Sequence, residues 1–291
     1  MAHIQYKIPL FTTVALIAFA ANSVLNRLAL GGNMIDAGSY ITLRLVSGAV
    51  TLWLINAVSK RNVGWTRGLR VSNSLLSAFY LFLYGVCFSF AYRSLTSGTG
   101  AFILFGTVQT TMLTVGLSRG EKPHISEWIS LVIALSGLGY IVFPGLAAPD
   151  PLSAFLMVTA GIAWAFYTLR GKGVKDPLEA TAANFIFSVP MILCVYCLNY
   201  AKTHVNTEGV TYAVVSGALA SGVGYVIWYA ALRGLTTTQA ALLQLSVPVI
   251  AAFGGIVFLS ETLTTRLIIG GVLIIGGVTL GLLGKPKSKP I

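Results

Sequence analysis

Residues 234–260 read GLTTTQAALLQLSVPVIAAFGGIVFLS, and no Asp, Glu, Lys or Arg stands between Arg233 and Glu261. A bilayer core about 30 Å thick takes roughly 20 helical residues to cross, so this run is long enough for one membrane span. Measured outward from it, further uncharged runs occupy residues 8–26, 71–92, 94–118, 128–149, 151–169, 180–201, 209–232 and 267–284, and a run at 37–59 is broken only by Arg44. These runs are apolar on both faces and about twice the length of the alternating ten-residue strands of a membrane β-barrel, which makes them helices. The expectation is an all-α membrane protein of ten transmembrane helices with short loops and no soluble domain.

Composition agrees. Of 291 residues, 56% are hydrophobic and 9% charged, and mean hydropathy is +0.82. A soluble domain carries about 25% charged residues, so the chain is neither disordered, nor a disulfide-stapled secreted domain, nor a nucleic-acid-binding module. Cys87, Cys194 and Cys197 lie in apolar stretches and lack the second ligand pair of a zinc site. With the N-terminus inside, the inner segments hold Lys7, Lys60, Arg61, Arg67, Arg70, Arg119, Lys122, Arg170, Lys172, Lys175, Arg233, Lys285, Lys287 and Lys289, fourteen of the 19 basic residues. The net charge of +11 is therefore topological, and both termini are expected in the cytoplasm. Lys7 and Ala18-Phe19-Ala20 also resemble a signal peptide with its cleavage site, but the apolar stretch continues through Val24 and Leu25.

A shift of 140 positions aligns Ala91–Gly139 with Ala231–Thr279 and gives nine identities: Ala91/Ala231, Arg93/Arg233, Leu95/Leu235, Thr96/Thr236, Ala101/Ala241, Glu121/Glu261, Ile129/Ile269, Val132/Val272 and Gly137/Gly277. The match lays helices four and five on helices nine and ten, so the repeating unit has five helices. Five is odd, so the second unit enters the membrane from the other side. This predicts two inverted repeats, residues 1–147 and 148–291, around a central cavity.

At Gln244, Pro248, Gly254-Gly255, Leu259-Ser260-Glu261, Gly270-Gly271 and Gly276-Gly277, the sequence resembles the EamA repeat of the drug/metabolite transporter superfamily, with a weaker copy at Gly120-Glu121 and Gly137 and a basic residue at Arg44. One departure is Val108 where the second copy has Pro248. Length, helix number and aromatic density look most like the YddG-type aromatic amino-acid exporters within it. The resemblance implies a ten-helix basket in the bacterial inner membrane. It implies a monomer that moves a small molecule, amino acids or similar metabolites, without changing it chemically. The alternative solute classes are small drugs and sugar-like metabolites.

The acidic residues all fall at span ends or in loops, and so do His3, His124 and His204. Proton-coupled carriers hold a titratable group near mid-membrane, so the expectation is a facilitator. No nucleophile with its base and no metal-ligand spacing occurs within the spans, which speaks against an intramembrane enzyme, a metal site or a cofactor. A phosphate-carrying pocket needs several deep cations, and only Arg44 qualifies. Arg44 lies eight residues from Asp36, about 12 Å along a helix. Snorkelling or a structural pairing is the plainer reading, and contact with a substrate carboxylate the other.

The positive signal is aromatic. Tyr80, Tyr84 and Phe88 recur at four-residue spacing, Trp164 and Tyr167 lie one turn apart, and Tyr225, Trp228 and Tyr229 cluster in the eighth run. Rings with polar tips near mid-span suit a cavity that stacks on flat, partly apolar solutes. Mid-span amides come second: Asn22, Asn26, Gln109, Asn184 and Gln244. Their usual role is helix-to-helix hydrogen bonding, and Asn22 and Gln244 are the candidates for substrate contact. Pro190 and Pro248 are hinge candidates because each removes a helix hydrogen bond. Gly217/Ser221 and Gly277/Gly281 read as close-packing pairs.

Overall fold

The computed structural model describes residues 7–58, 71–95, 97–142, 150–259 and 265–283. His3, Lys60, Arg61, Arg67, Arg70, Thr96, Glu261, Lys285, Lys287, Lys289 and the 147/148 boundary between the expected halves lie outside them.

Ten helical passes follow one another among the described residues. They are α1 (Ile8–Asn26), α2 (Ala37–Val58), α3 (Val71–Ala91), α4 (Ser97–Ser118), α5 (Ile125–Val142), α6 (Pro151–Gly171), α7 (Pro177–Asn199), α8 (Thr207–Leu232), α9 in two pieces (Thr237–Gln244 and Val247–Leu259) and α10 (Thr265–Leu283). Seven of them, α1 to α3 and α6 to α9, are long and apolar enough to cross a membrane; the apolar stretches of α4, α5 and α10 are shorter within the described residues. Leu10, Trp53, Phe155, Leu198 and Phe258 project from the outer surface. A soluble protein does not expose large apolar side chains on this scale.

Local chemistry starts and stops the helices where the sequence signals it. Asp150 caps α6 by accepting from the Ser153 N–H, and Asp176 caps α7 by accepting from Leu178 and Glu179; each is followed by a proline, whose missing N–H costs nothing in a first turn. Thr236 and Gln239 form a reciprocal capping box on α9. Gly120, at φ 81°, ends α4: its N–H reaches Leu117 O and the Glu121 N–H reaches Gly116 O, the double bond of a left-handed helix stop. That turn aims Glu121 across the mouth of the bundle.

Two passes are irregular inside. α8 widens into a π-helical segment over Ser216–Val223, a stretch of Gly, Ala and Ser that lets backbones approach closely. A Cβ on Gly217 would sit 2.1 Å from both Arg44 O and Ser47 Oγ, so this segment lies directly on α2. α9 breaks at Leu245 and Ser246, because the ring of Pro248 would collide with the Gln244 carbonyl if the helix continued. Pro248 then sits harmlessly in the first turn of the second piece. Pro190, by contrast, lies inside an unbroken α7.

In packing, α3 lies on α6 and α7, α2 on α7 and the π segment of α8, α1 on α8 and the second piece of α9, α4 on α6, and α5 on α10. At the end of the bundle where α1 finishes, Ile35 and Val205 pair as an antiparallel bridge, and Asp36 N–H donates to His204 O at 3.0 Å. This clasp joins the α1–α2 loop to the α7–α8 loop.

Candidate functional site

On α3 and in the turn that directly continues it, residues 84, 88 and 92 are successive i, i+4 neighbours and share one side, with the Tyr92 N–H still donating to Phe88 O. Phe88 and Tyr92 have centroids 4.8 Å apart, and Tyr84 and Phe88 5.4 Å. From Tyr84 the rings pass to Trp164 on α6 at 4.9 Å, to Tyr167 one turn further at 5.6 Å, and to Tyr229 on α8 at 5.1 Å. Six rings thus form a continuous ladder through the bundle.

Each end of the ladder opens into a cavity. Tyr92 lines one of about 430 Å³ with Asp36, Arg93 and His204, and Tyr229 lines the other, of about 810 Å³, with Arg119, Arg170, Lys172, Lys175, Asp176, Glu179 and Asn184. Between them lies a hollow of about 30 Å³ bounded by Phe19, Asn22, Ser23, Tyr84, Phe88, Leu104, Phe105, Trp164, Tyr225 and Val247. That volume holds a water or two, so the pathway is closed at its centre in this state.

Four of the expected substrate contacts, Asn22, Tyr84, Trp164 and Tyr225, meet at the hollow. The other four do not border it. Tyr80 stacks on Phe166 at 5.4 Å, half-buried and to one side. Tyr167 is the next rung below Trp164, and its backbone carbonyl accepts from the Tyr229 hydroxyl at 3.0 Å. Trp228 is fully buried behind Phe19, 5.4 Å away. Gln244 stands behind Trp164: its Oε1 accepts from the indole N–H at 2.6 Å, while its amide N–H donates to Ala240 O at 3.1 Å. Gln109 is buried, and neither amide atom has a hydrogen-bond partner among the described residues. Phe19, in edge contact with Trp164, Tyr225 and Trp228, drew notice in the sequence only within the resemblance to a cleavage site, because one Phe in an apolar run carries no signal of a cavity.

Of the two plainer readings of Arg44, snorkelling does not occur and structural pairing does: the side chain is 2% exposed and faces α8. Its Nε donates to Ser221 Oγ and one terminal nitrogen to the Tyr225 hydroxyl, each at 2.8 Å, while the guanidinium carbon lies 5.8 Å from the centre of the Tyr84 ring. The other terminal nitrogen, Nη1, has no hydrogen-bond partner among the described residues. Burying a cation without a counter-ion costs several kcal/mol, and the hydroxyls and the ring face recover only part of it. Ser221 does more than pack closely: it donates to Asn22 Oδ1 at 3.2 Å, and Ser216 donates to the same oxygen at 2.6 Å. Residues five apart become neighbours only where the helix adopts i to i+5 bonding, and here the π segment brings both serines to Asn22. The Asn22 Nδ2 is left without a partner among the described residues.

At the wide mouth Glu121 gathers three elements. Its carboxylate accepts from Lys172 Nζ at 3.1 Å, from the Thr237 N–H at 3.2 Å, from the Thr237 hydroxyl and from the Thr238 hydroxyl at 3.4 Å. Partial burial pushes the carboxyl pKa up, but the hydrogen bonds from Thr237 and Lys172 and the lysine charge outweigh it and hold the group below its ordinary value. Among the described residues no group of three His, Cys, Asp or Glu side chains is placed to hold a metal ion.

Comparison with known proteins gives the same architecture a family. Residues 151–283 match the EamA-like transporter family. An uncharacterized protein of Pseudomonas aeruginosa is 42% identical over 93% of both chains. The threonine/homoserine exporter RhtA of Salmonella typhimurium is 25% identical, covering 98% of this chain and 97% of its own. A solved crystal structure shares the fold with a TM-score of 0.75 at 16% identity, over 94% of this chain and 99% of its own. A multi-pass bundle with a closed central hollow between two cavities, this chain belongs to the EamA-like transporter family.

Proposed function

We propose that the protein exports small zwitterionic and aromatic solutes, amino acids foremost, by alternating access and without proton coupling. It catalyses no reaction and works as a monomer in the inner membrane with both termini cytoplasmic. The observation that carries this reading is the ring ladder, which links two cavities through a hollow of about 30 Å³. A solute that enters must part the rings, and stacking on them offsets part of its desolvation.

The halves 1–147 and 148–291 act as inverted repeats that rock around this hollow. Helix pairing supports that reading. Exchanging every helix for the one five places away turns α3 on α6 into α8 on α1, α4 on α6 into α9 on α1, and α3 on α7 into α8 on α2, all of which occur; α2 on α7 and α5 on α10 map onto themselves. The matched residues Arg93 and Arg233 stand at opposite ends, one at the narrower mouth and the other donating to Val174 and Lys175 at the wide one. The break before Pro248 and the proline at 190 serve as hinges. An amino-acid solute is supported by the full-length similarity to RhtA, which is named for exporting threonine and homoserine.

Purified protein in liposomes tests this directly. Counterflow of labelled phenylalanine, tryptophan or threonine, unaffected by a proton ionophore, is the expected result. Absence of flux for all three, with a positive control in the same vesicles, overturns it.

A further inference from the structure

Among the described residues, Arg44 Nη1 and Asn22 Nδ2 are buried donors near the hollow without a hydrogen-bond acceptor. Both side chains are more than nine-tenths buried, and Ser221 joins them by accepting from Arg44 Nε and donating to Asn22 Oδ1. Among the described residues the groups around the guanidinium are neutral, among them the Ser221 and Tyr225 hydroxyls and the Tyr84 ring. Intramembrane cations are normally paired with an anion or with backbone carbonyls. Here the arrangement lacks one negatively charged acceptor with two oxygens.

We propose that Arg44 and Asn22 form a carboxylate subsite, in which the α-carboxylate of the transported solute accepts from Arg44 Nη1 and Asn22 Nδ2. This rests on the transport reading above and adds to it the group by which the solute is recognised. Guanidinium forks match carboxylates geometrically and act most strongly where water is excluded. Asn22, Tyr84 and Tyr225 all border the hollow. A solute held there by its carboxylate lays its side chain against Phe19, Phe88 and Trp164. Phosphate esters are disfavoured, because one guanidinium cannot offset two negative charges. The subsite also explains why an arginine is kept buried in the bundle at a cost to stability: the missing counter-ion arrives with the cargo.

The test uses whole protein in liposomes, with labelled phenylalanine as probe and unlabelled phenylalanine, phenylalaninamide and phenethylamine as competitors. In the wild type, phenylalanine should compete at least tenfold better than the two compounds without a carboxylate. Asn22→Asp supplies Arg44 with an internal anion, and should reverse that order so that phenethylamine competes best. Arg44→Gln should erase the discrimination, and ligand-induced thermal shifts in detergent should follow the same ranking. Equal competition by all three in the wild type, or an unchanged order in Asn22→Asp, overturns the subsite while leaving transport standing. Should Arg44→Gln fail to fold, the reversal in Asn22→Asp decides alone. No flux or thermal shift with any of the three brings down the transport reading, and the subsite with it.

Discussion

The indole N–H of Trp164 donates to Gln244 Oε1 at 2.6 Å, tying the middle of α6 to the last residue before the break in α9. The central ring of the ladder is therefore held by the element most able to bend. Gln244→Ala removes the acceptor and leaves a buried N–H unsatisfied, a loss of about 1–3 kcal/mol. We expect counterflow to fall about tenfold at unchanged surface expression, and Gln244→Glu to retain more activity than Gln244→Ala.

Tyr92 and Tyr229 close the two ends of the ladder. Tyr229→Ala should enlarge the wide cavity inward and speed solute exchange from that side. Tyr92→Ala should act on the opposite side only. Accessibility of single cysteines at residues 88 and 167 to a water-soluble maleimide reads the difference: Tyr229→Ala exposes position 167, and Tyr92→Ala exposes position 88.

Glu121 ties the α4–α5 loop to Lys172 and to the start of α9. A carboxyl whose pKa falls on folding adds stability above its unfolded value, about 4.3 for Glu, and loses it only as pH drops through the lower folded value. The latch is therefore intact from about pH 5 to 8, and wild-type flux should be flat there. The pair is partly exposed, so Lys172→Gln should cost under about 1 kcal/mol. Flux measured across that range in Glu121→Gln should rise or fall by no more than about threefold, with no new pH dependence.

Gly217 permits the contact between α2 and the π segment of α8. A valine there would put its Cβ 2.1 Å from the Arg44 carbonyl, and backbone cannot yield as a flexible side chain does. Gly217→Val should destabilise by about 3 kcal/mol or more and abolish monodisperse protein in detergent. Gly106→Ala, where a Cβ meets nothing within 4 Å, is the control and should behave as wild type.

Sequence spacing picked out some residues that border the hollow and missed the direction in which others point. Tyr80, Tyr84 and Phe88 look equivalent at four-residue spacing, but each such step turns about 40° past a full helical turn, so Tyr80 has rotated away from the hollow and onto Phe166. Gln244 was legible as a mid-span amide, while its role behind Trp164 depends on where α6 lies. Arg44 was legible as the one deep cation, and its neutral surroundings were not, because Ser221 and Tyr225 come from 177 and 181 residues away.

Length and placement of the uncharged runs made this a helical membrane protein, since hydrocarbon forces every backbone hydrogen bond inside its own segment and so writes each span into local sequence. The capping residues, the proline break and the aromatic content are local for the same reason. Which rings form one ladder, which cation lacks an anion and which serines reach Asn22 were decided only by tertiary packing. Those contacts depend on helix rotation and on a π-helical widening, neither of which leaves a periodic mark in the chain, whereas the close approach at Gly217 was already written in the Gly217/Ser221 spacing.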